Sequence, residues 1–187
     1  MQTQQHLFLV GFMGCGKTHW GRLLAEKTGL PFLDLDRLLE EKEGKTIAEI
    51  FAEIGEAAFR ALEHDTLRTL EHFPPTVIAT GGGTPCFFDN MGWMNSTGTT
   101  VYLKTPPDVL AERLRNEKET RPLLAGLDDL GLQRFIEQKL AEREPYYLQA
   151  EVVLEQKEDA ALNFWSILRQ RLKSDAEWIG KNAGLTR

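Results

Sequence analysis

Residues Gly11 to Thr18 read G-F-M-G-C-G-K-T and match the spacing G-x-x-x-x-G-K-[ST]. That spacing serves phosphate binding. Glycines let backbone N–H groups curl around phosphates, and a helix N-terminus adds its positive end. Lys17 then reaches the β and γ phosphates, and the Thr18 hydroxyl ligates magnesium. Gly14, Cys15 and Gly16 take part through the backbone. At ordinary residue frequencies such a match arises by accident in about one chain in 150. An apolar run before it and helical spacing after it lower that rate further, so the segment is read as a nucleotide site.

Further groups bear on what a bound nucleotide would do. Asp34-Leu35-Asp36 follows a short apolar stretch, where one carboxylate would support magnesium through water and the other would orient or deprotonate an acceptor hydroxyl. The competing reading is a helix N-cap aspartate followed by a solvated one. Gly81, Gly82 and Gly83 end a predicted strand, where bare backbone favours close approach of a ligand over a merely flexible loop. Arg60, Arg121 and Arg143 are each unremarkable alone, since most arginines are solvated. Their value lies in their joint pattern.

The elements that must position these groups alternate. Leu7 to Val10 is a buried strand entering the glycine loop, and Trp20, Leu23, Leu24 and Lys27 continue a helix from Lys17 to a stop at Gly29. Phe32-Leu33 is a second short strand. Thr46 to Glu49 has capping-box form, and Gly55 separates that short helix from one over about 56–71. Strands follow at Val77 to Thr80, Thr100 to Leu103 and Val152 to Leu154, with helices opened by Pro106-Pro107-Asp108, over 131–144 and over 160–172. Residues 116–129 are polar and aperiodic and read as a mobile loop, with the lid at about 116–126. Such alternation implies a parallel sheet covered on both faces, with ligands outside the strands' carboxyl ends.

Composition bounds the rest. A chain of 187 residues favours one domain, placed at 1–172, with a substrate-binding region at about 34–63 and a tail of unassigned role at 173–187. With 22 Lys and Arg against 28 Asp and Glu, the net charge of −6 disfavours nucleic acid as a partner. Two cysteines are too few for a disulfide framework, and no stretch reads as signal peptide or membrane span, so a cytoplasmic protein is expected, and a monomer.

The ordered set G-F-M-G-C-G-K-T, D-L-D, F-R-x-x-E at 59–63, G-G-G, R-P-L-L at 121–124 and R-x-P-x-Y at 143–147 resembles shikimate kinase over about residues 6–172. The resemblance implies a three-layer αβα P-loop kinase fold of the nucleoside monophosphate kinase type, with a five-stranded parallel sheet in order 2-3-1-4-5. It implies transfer of the ATP γ-phosphoryl to the 3-hydroxyl of shikimate, with Mg2+, in aromatic amino acid biosynthesis. Carried over by position, Asp36, Arg60, Gly82 and Arg143 are similar to the shikimate contacts, the two arginines clamping the carboxylate. Gly81 and Gly83 flank that contact. Asp34 and Thr18 would hold magnesium, Arg121 would close over the transferring phosphoryl, and Arg113 would pack on adenine. Lys17, Asp36 and Arg121 are the candidate catalytic residues.

Some positions depart from the family pattern. His19 and Trp20 follow Thr18 where small hydroxyl and aliphatic residues are usual; His19 is expected to offer its backbone N–H to the α-phosphate, and Trp20 to fill space behind the loop. Cys15 stands where alanine is common and is either a reactive thiolate or a small core hydrophobe. Two other functions compete: another small-metabolite kinase of the same fold, such as gluconate kinase, and a nonenzymatic nucleotide-binding module.

Overall fold

The computed structural model describes residues 6–115, 117, 122–124 and 126–156. The expected helix 160–172, the tail 173–187, Arg121 and most of the lid lie outside the described residues. The elements are β1 (His6–Val10), α1 (Lys17–Thr28), β2 (Phe32–Asp34), α2 (Leu35–Glu43), α3 (Ile47–Thr69), β3 (Val77–Ala79), α4 (Asn90–Thr97), β4 (Gly98–Lys104), α5 (Pro107–Arg115), α6 (Asp129–Tyr147) and β5 (Val152–Glu155).

All strand pairs are parallel and the order is β2-β3-β1-β4-β5, as expected. β1 is buried throughout because it pairs on both sides, with β3 through Leu7, Phe8 and Leu9 and with β4 through His6 to Val10. Right-handed crossovers put the helix of the β1-to-β2 step and that of the β3-to-β4 step on opposite faces, which makes three layers. The core runs through the sheet: Leu7, Phe8, Leu9, Ile78 and Val101 are fully buried with Leu24, Leu67, Leu110 and Leu114 from the helices.

Local chemistry sets the ends. α1 begins after Gly16 and stops at Gly29, whose left-handed φ of 71° lets its N–H reach the Ala25 carbonyl at 2.9 Å. α3 starts in the expected capping box, Thr46 and Glu49 each capping the other's backbone N–H. The expected break at Gly55 is a kink (φ 76°, ψ 171°) inside α3. Leu39 of α2 with Ile50 and Phe59 of α3 form a small separate core that fastens this region.

Three helices differ from the sequence reading, the first being α2, which is the helix of the competing reading of D-L-D, capped by Asp34. α4 was not anticipated: it buries only Asn90, Met91 and Met94 and has no apolar stripe to announce it. α6 is longer than 131–144, capped by Asp128 and continuing through Pro145 to Tyr147. The proline lacks an N–H for the carbonyl four residues back but does not end the helix, because Tyr147 is anchored in the core. No helix among the described residues is long and apolar enough to cross a membrane.

Candidate active site

β1, β2 and β3 deliver the phosphate loop, the D-L-D segment and the triple glycine to one end of the sheet. Leu9 is in register with Ala79, and Asp34 with Ala79 on its other side, so the three loops leave side by side.

In the phosphate loop Gly11, Gly14 and Gly16 have φ of 140°, 77° and 90°, which a side chain would resist. Lys17 is buried, its ammonium donating to the carbonyls of Gly11 at 2.8 Å and Phe12 at 2.9 Å. Thr18 is exposed and donates to Asp34 Oδ2 at 2.7 Å. Asp34 also caps α2, its Oδ1 accepting from the Asp36 N–H at 3.2 Å, so it serves both as a cap and as a partner of the loop. A hydroxyl and a carboxylate beside a phosphate site are an all-oxygen donor set suited to magnesium, which keeps waters and phosphate oxygens as its other ligands.

His19 is exposed, and its ring lies edge-on to Trp20 with centroids 5.6 Å apart. Cys15 is fully buried, which agrees with the core-hydrophobe reading and not with an accessible thiolate. Its carbonyl accepts from Gln156 Nε2 at 2.7 Å, while Arg113 Nη1 donates to the Gly14 carbonyl and to Gln156 Oε1, each at 3.2 Å. Arg113 and Gln156 thus brace the outer wall of the loop.

Beside the loop lies a cleft of about 450 Å3, lined among others by Asp36, Arg60, Glu63, Gly82 and Arg143. The triple glycine is there for close approach. A Cβ on Gly83 would sit 2.6 Å from Arg60 Nη1, and one on Gly81 would sit 2.5 Å from Glu63 Oε1 and 2.9 Å from Asp36 Oδ1. One on Gly82 would sit 3.1 Å from the Met13 N–H nitrogen of the phosphate loop. The glycines therefore bring the charged groups of the cleft up against the nucleotide loop.

Arg60 is buried between the rings of Phe87 and Phe59, at 4.6 and 5.1 Å from their centroids. Its Nη1 pairs with Glu63 at 2.5 Å. Arg143 is also buried, 5.7 Å from the centroid of Phe12. One turn on, Tyr147 Oη donates to the Gly82 carbonyl at 2.5 Å; burial, reinforced by Cys86, pushes this phenol well above its ordinary pKa and keeps it a donor. Burial also raises the Cys86 thiol to about 11, against the opposing pull of Arg143.

A model of the family described as Shikimate kinase matches residues 13–173. The chain belongs to the shikimate kinase family. A shikimate kinase of Bacteroides thetaiotaomicron is 50% identical over 147 residues, covering 79% of this chain and 84% of that protein. A crystal structure of shikimate kinase from the same organism superposes with a TM-score of 0.80 at 42% identity, over 90% of this chain and 98% of that one. Shikimate kinase from Acinetobacter baumannii in complex with shikimate gives a TM-score of 0.83 at 35% identity, over 92% of this chain and 96% of the other.

Family membership makes this an ATP-dependent kinase acting on shikimate and disfavours the gluconate kinase and nonenzymatic readings. Of the expected site residues, the structure brings together Lys17, Thr18, Asp34, Asp36, Arg60, the triple glycine, Arg113 and Arg143 at one end of the sheet; Arg121 lies outside the described residues. Sequence reasoning gave no task to Glu63, Tyr147 or Gln156. Glu63 was discoverable from its i,i+3 spacing to Arg60, and Tyr147 from its i,i+4 spacing to Arg143. Gln156 sits 141 residues from its partner Cys15 and carries no local signal.

Proposed function

We propose that this kinase transfers the ATP γ-phosphoryl to the 3-hydroxyl of shikimate, with the acceptor in the cleft between Asp36 and the two buried arginines. One observation carries the assignment of roles: Arg60 and Arg143 are both buried guanidiniums lining a single cleft whose glycine wall abuts the phosphate loop. Glu63 meets part of the Arg60 charge, but the buried Nε has no partner, and a guanidinium fork fits a carboxylate in two parallel hydrogen bonds. Fixing the carboxylate fixes the ring. Asp36 then holds the reacting hydroxyl and accepts its hydrogen as the phosphoryl arrives.

On the nucleotide side, Lys17 exchanges its two loop carbonyls for the β and γ phosphates, and the amides of Gly14, Cys15, Gly16 and His19 cradle the rest. Thr18 and Asp34 are the residues that would hold Mg2+, which supplies positive charge to the phosphates when bound. Arg113 borders the adenine, and Arg121 closes from the lid. We place the protein in the cytoplasm as a monomer, with the kinase domain at 1–172.

A coupled ADP-release assay with ATP, magnesium and shikimate, gluconate or nucleoside monophosphates tests this. Turnover with shikimate on the order of 1 to 100 per second is expected. Turnover with gluconate and none with shikimate, in folded protein, would sink it.

A further inference from the structure

The nitrogens of Arg60 are unequally engaged. Nη1 is held by Glu63, whose side chain is 2% exposed and whose other oxygen accepts from Thr84 Oγ1 at 2.6 Å. Nη2 meets Glu56 at 3.3 Å, and that side chain is 54% exposed. Nε is buried without a hydrogen-bond partner. A guanidinium offers a carboxylate two forked edges, Nη1 with Nη2 or Nε with Nη2. Glu63 is internal and closes the first, so only the Nε–Nη2 edge remains for a ligand. Glu56 contests that edge through Nη2.

We propose that Glu56 is a resident placeholder for the acceptor's carboxylate, a residue that sets acceptor affinity by occupying Arg60 Nη2 until a carboxylate ligand takes the whole Nε–Nη2 edge. The proposal rests on the carboxylate-clamp reading of Arg60. Glu56 is suited to leave: it follows the Gly55 kink, faces solvent, and contacts one nitrogen at a long distance. A half-exposed pair is weak, whereas a two-point fork to a desolvated carboxylate is strong. A ligand lacking the carboxylate leaves Glu56 in place, so the placeholder weakens the binding of carboxylate acceptors and leaves that of neutral ones of the same shape unchanged.

Titration calorimetry of Glu56→Gln and Glu56→Ala with shikimate and with its methyl ester tests this. Both variants should bind shikimate about two- to fivefold more tightly than the parent, the range for losing one exposed competing ion pair. Methyl ester and nucleotide affinities should not move. Unchanged or weaker shikimate binding in both variants, or an equal gain for the ester, overturns the placeholder. Arg60→Ala separates the two ideas. If it binds shikimate as the parent does, the clamp itself is wrong; if it loses binding while the Glu56 variants gain none, only the placeholder is wrong.

Discussion

Thr18 Oγ1 donates to Asp34 Oδ2 at 2.7 Å, joining the first turn of α1 to the last residue of β2. Because Asp34 also caps α2, substitutions there should separate into two effects. Asp34→Asn keeps a capping oxygen but loses the charge; it should raise the magnesium concentration for half-maximal activity and leave the melting temperature nearly unchanged. Asp34→Ala should show the same magnesium effect and lose a further roughly 1 kcal/mol of stability with its cap. Magnesium titrations alongside thermal melts check both, and an unchanged magnesium requirement in both would remove Asp34 from the metal site.

Arg60→Ala and Arg143→Ala should act first on shikimate affinity, each by about 2 to 5 kcal/mol if the carboxylate is desolvated between them. Nucleotide affinity should change far less, because the proposed nucleotide contacts are Lys17, Thr18 and the loop amides and not either guanidinium. Equilibrium titration with each ligand in turn is the measurement. Loss of both affinities together would indicate collapse of the cleft, not loss of a clamp.

The phosphate loop and the D-L-D carboxylates are short contiguous motifs and so are legible as candidates, whereas the clamp role of Arg60 and Arg143, 83 residues apart, comes only from the resemblance. What escaped was chemistry assembled across the chain. The charges around Arg60 come from its own helix, but Thr84 reaches Glu63 from a different loop, and Gln156 reaches the phosphate loop from the end of β5. The sheet order followed from the resemblance, whereas α4 is only two turns long, with Met91, Trp93 and Met94 scattered among polar residues, and has no periodicity to read. The sequence reads the triple glycine as a place for close approach of a ligand. What packs against it includes the protein's own Arg60, Glu63 and Asp36, and no sequence pattern specifies that.

Tyr147→Phe should lose the bond to the Gly82 carbonyl while keeping the ring packed on Tyr102, 5.2 Å away between centroids. Leaving that carbonyl unmatched in a part-buried setting should lower stability by about 1 to 3 kcal/mol. The freed Gly82 should also raise the KM for shikimate more than that for ATP. Urea midpoints and initial rates report the two effects separately; a variant with parental stability and KM would show the bond to be incidental.

Cysteine reactivity should be low throughout the folded protein. Cys15 is fully buried, and at pH 7.5 a thiol with a pKa of about 11 is thiolate in only about 3 molecules per 10,000. Alkylation of Cys86 should therefore accelerate about tenfold per pH unit from 7 to 10, as thiolate rises. Cys15 should react only after urea unfolding. Mass spectrometry of labelled peptides distinguishes the two sites, and rapid labelling of Cys15 at neutral pH would contradict its placement.

His6 gives stability a pH dependence whose sign is fixed by its surroundings. Its Nε2 meets the Leu70 carbonyl at 2.9 Å and its Nδ1 is buried with no partner, so a second ring proton would have no acceptor. Burial lowers the pKa from 6.5, outweighing the carbonyl, which pulls the other way. The unfolded chain therefore binds the proton more readily than the folded one. The neutral ring's contribution is complete above about pH 6.5 and declines as pH falls from there to the depressed folded value. Urea midpoints measured from pH 8 down to pH 5 should fall in the parent. In His6→Gln, which retains a donor for Leu70 and does not titrate, the decline should be shallower; equal slopes in the two proteins would assign the acid sensitivity to other groups.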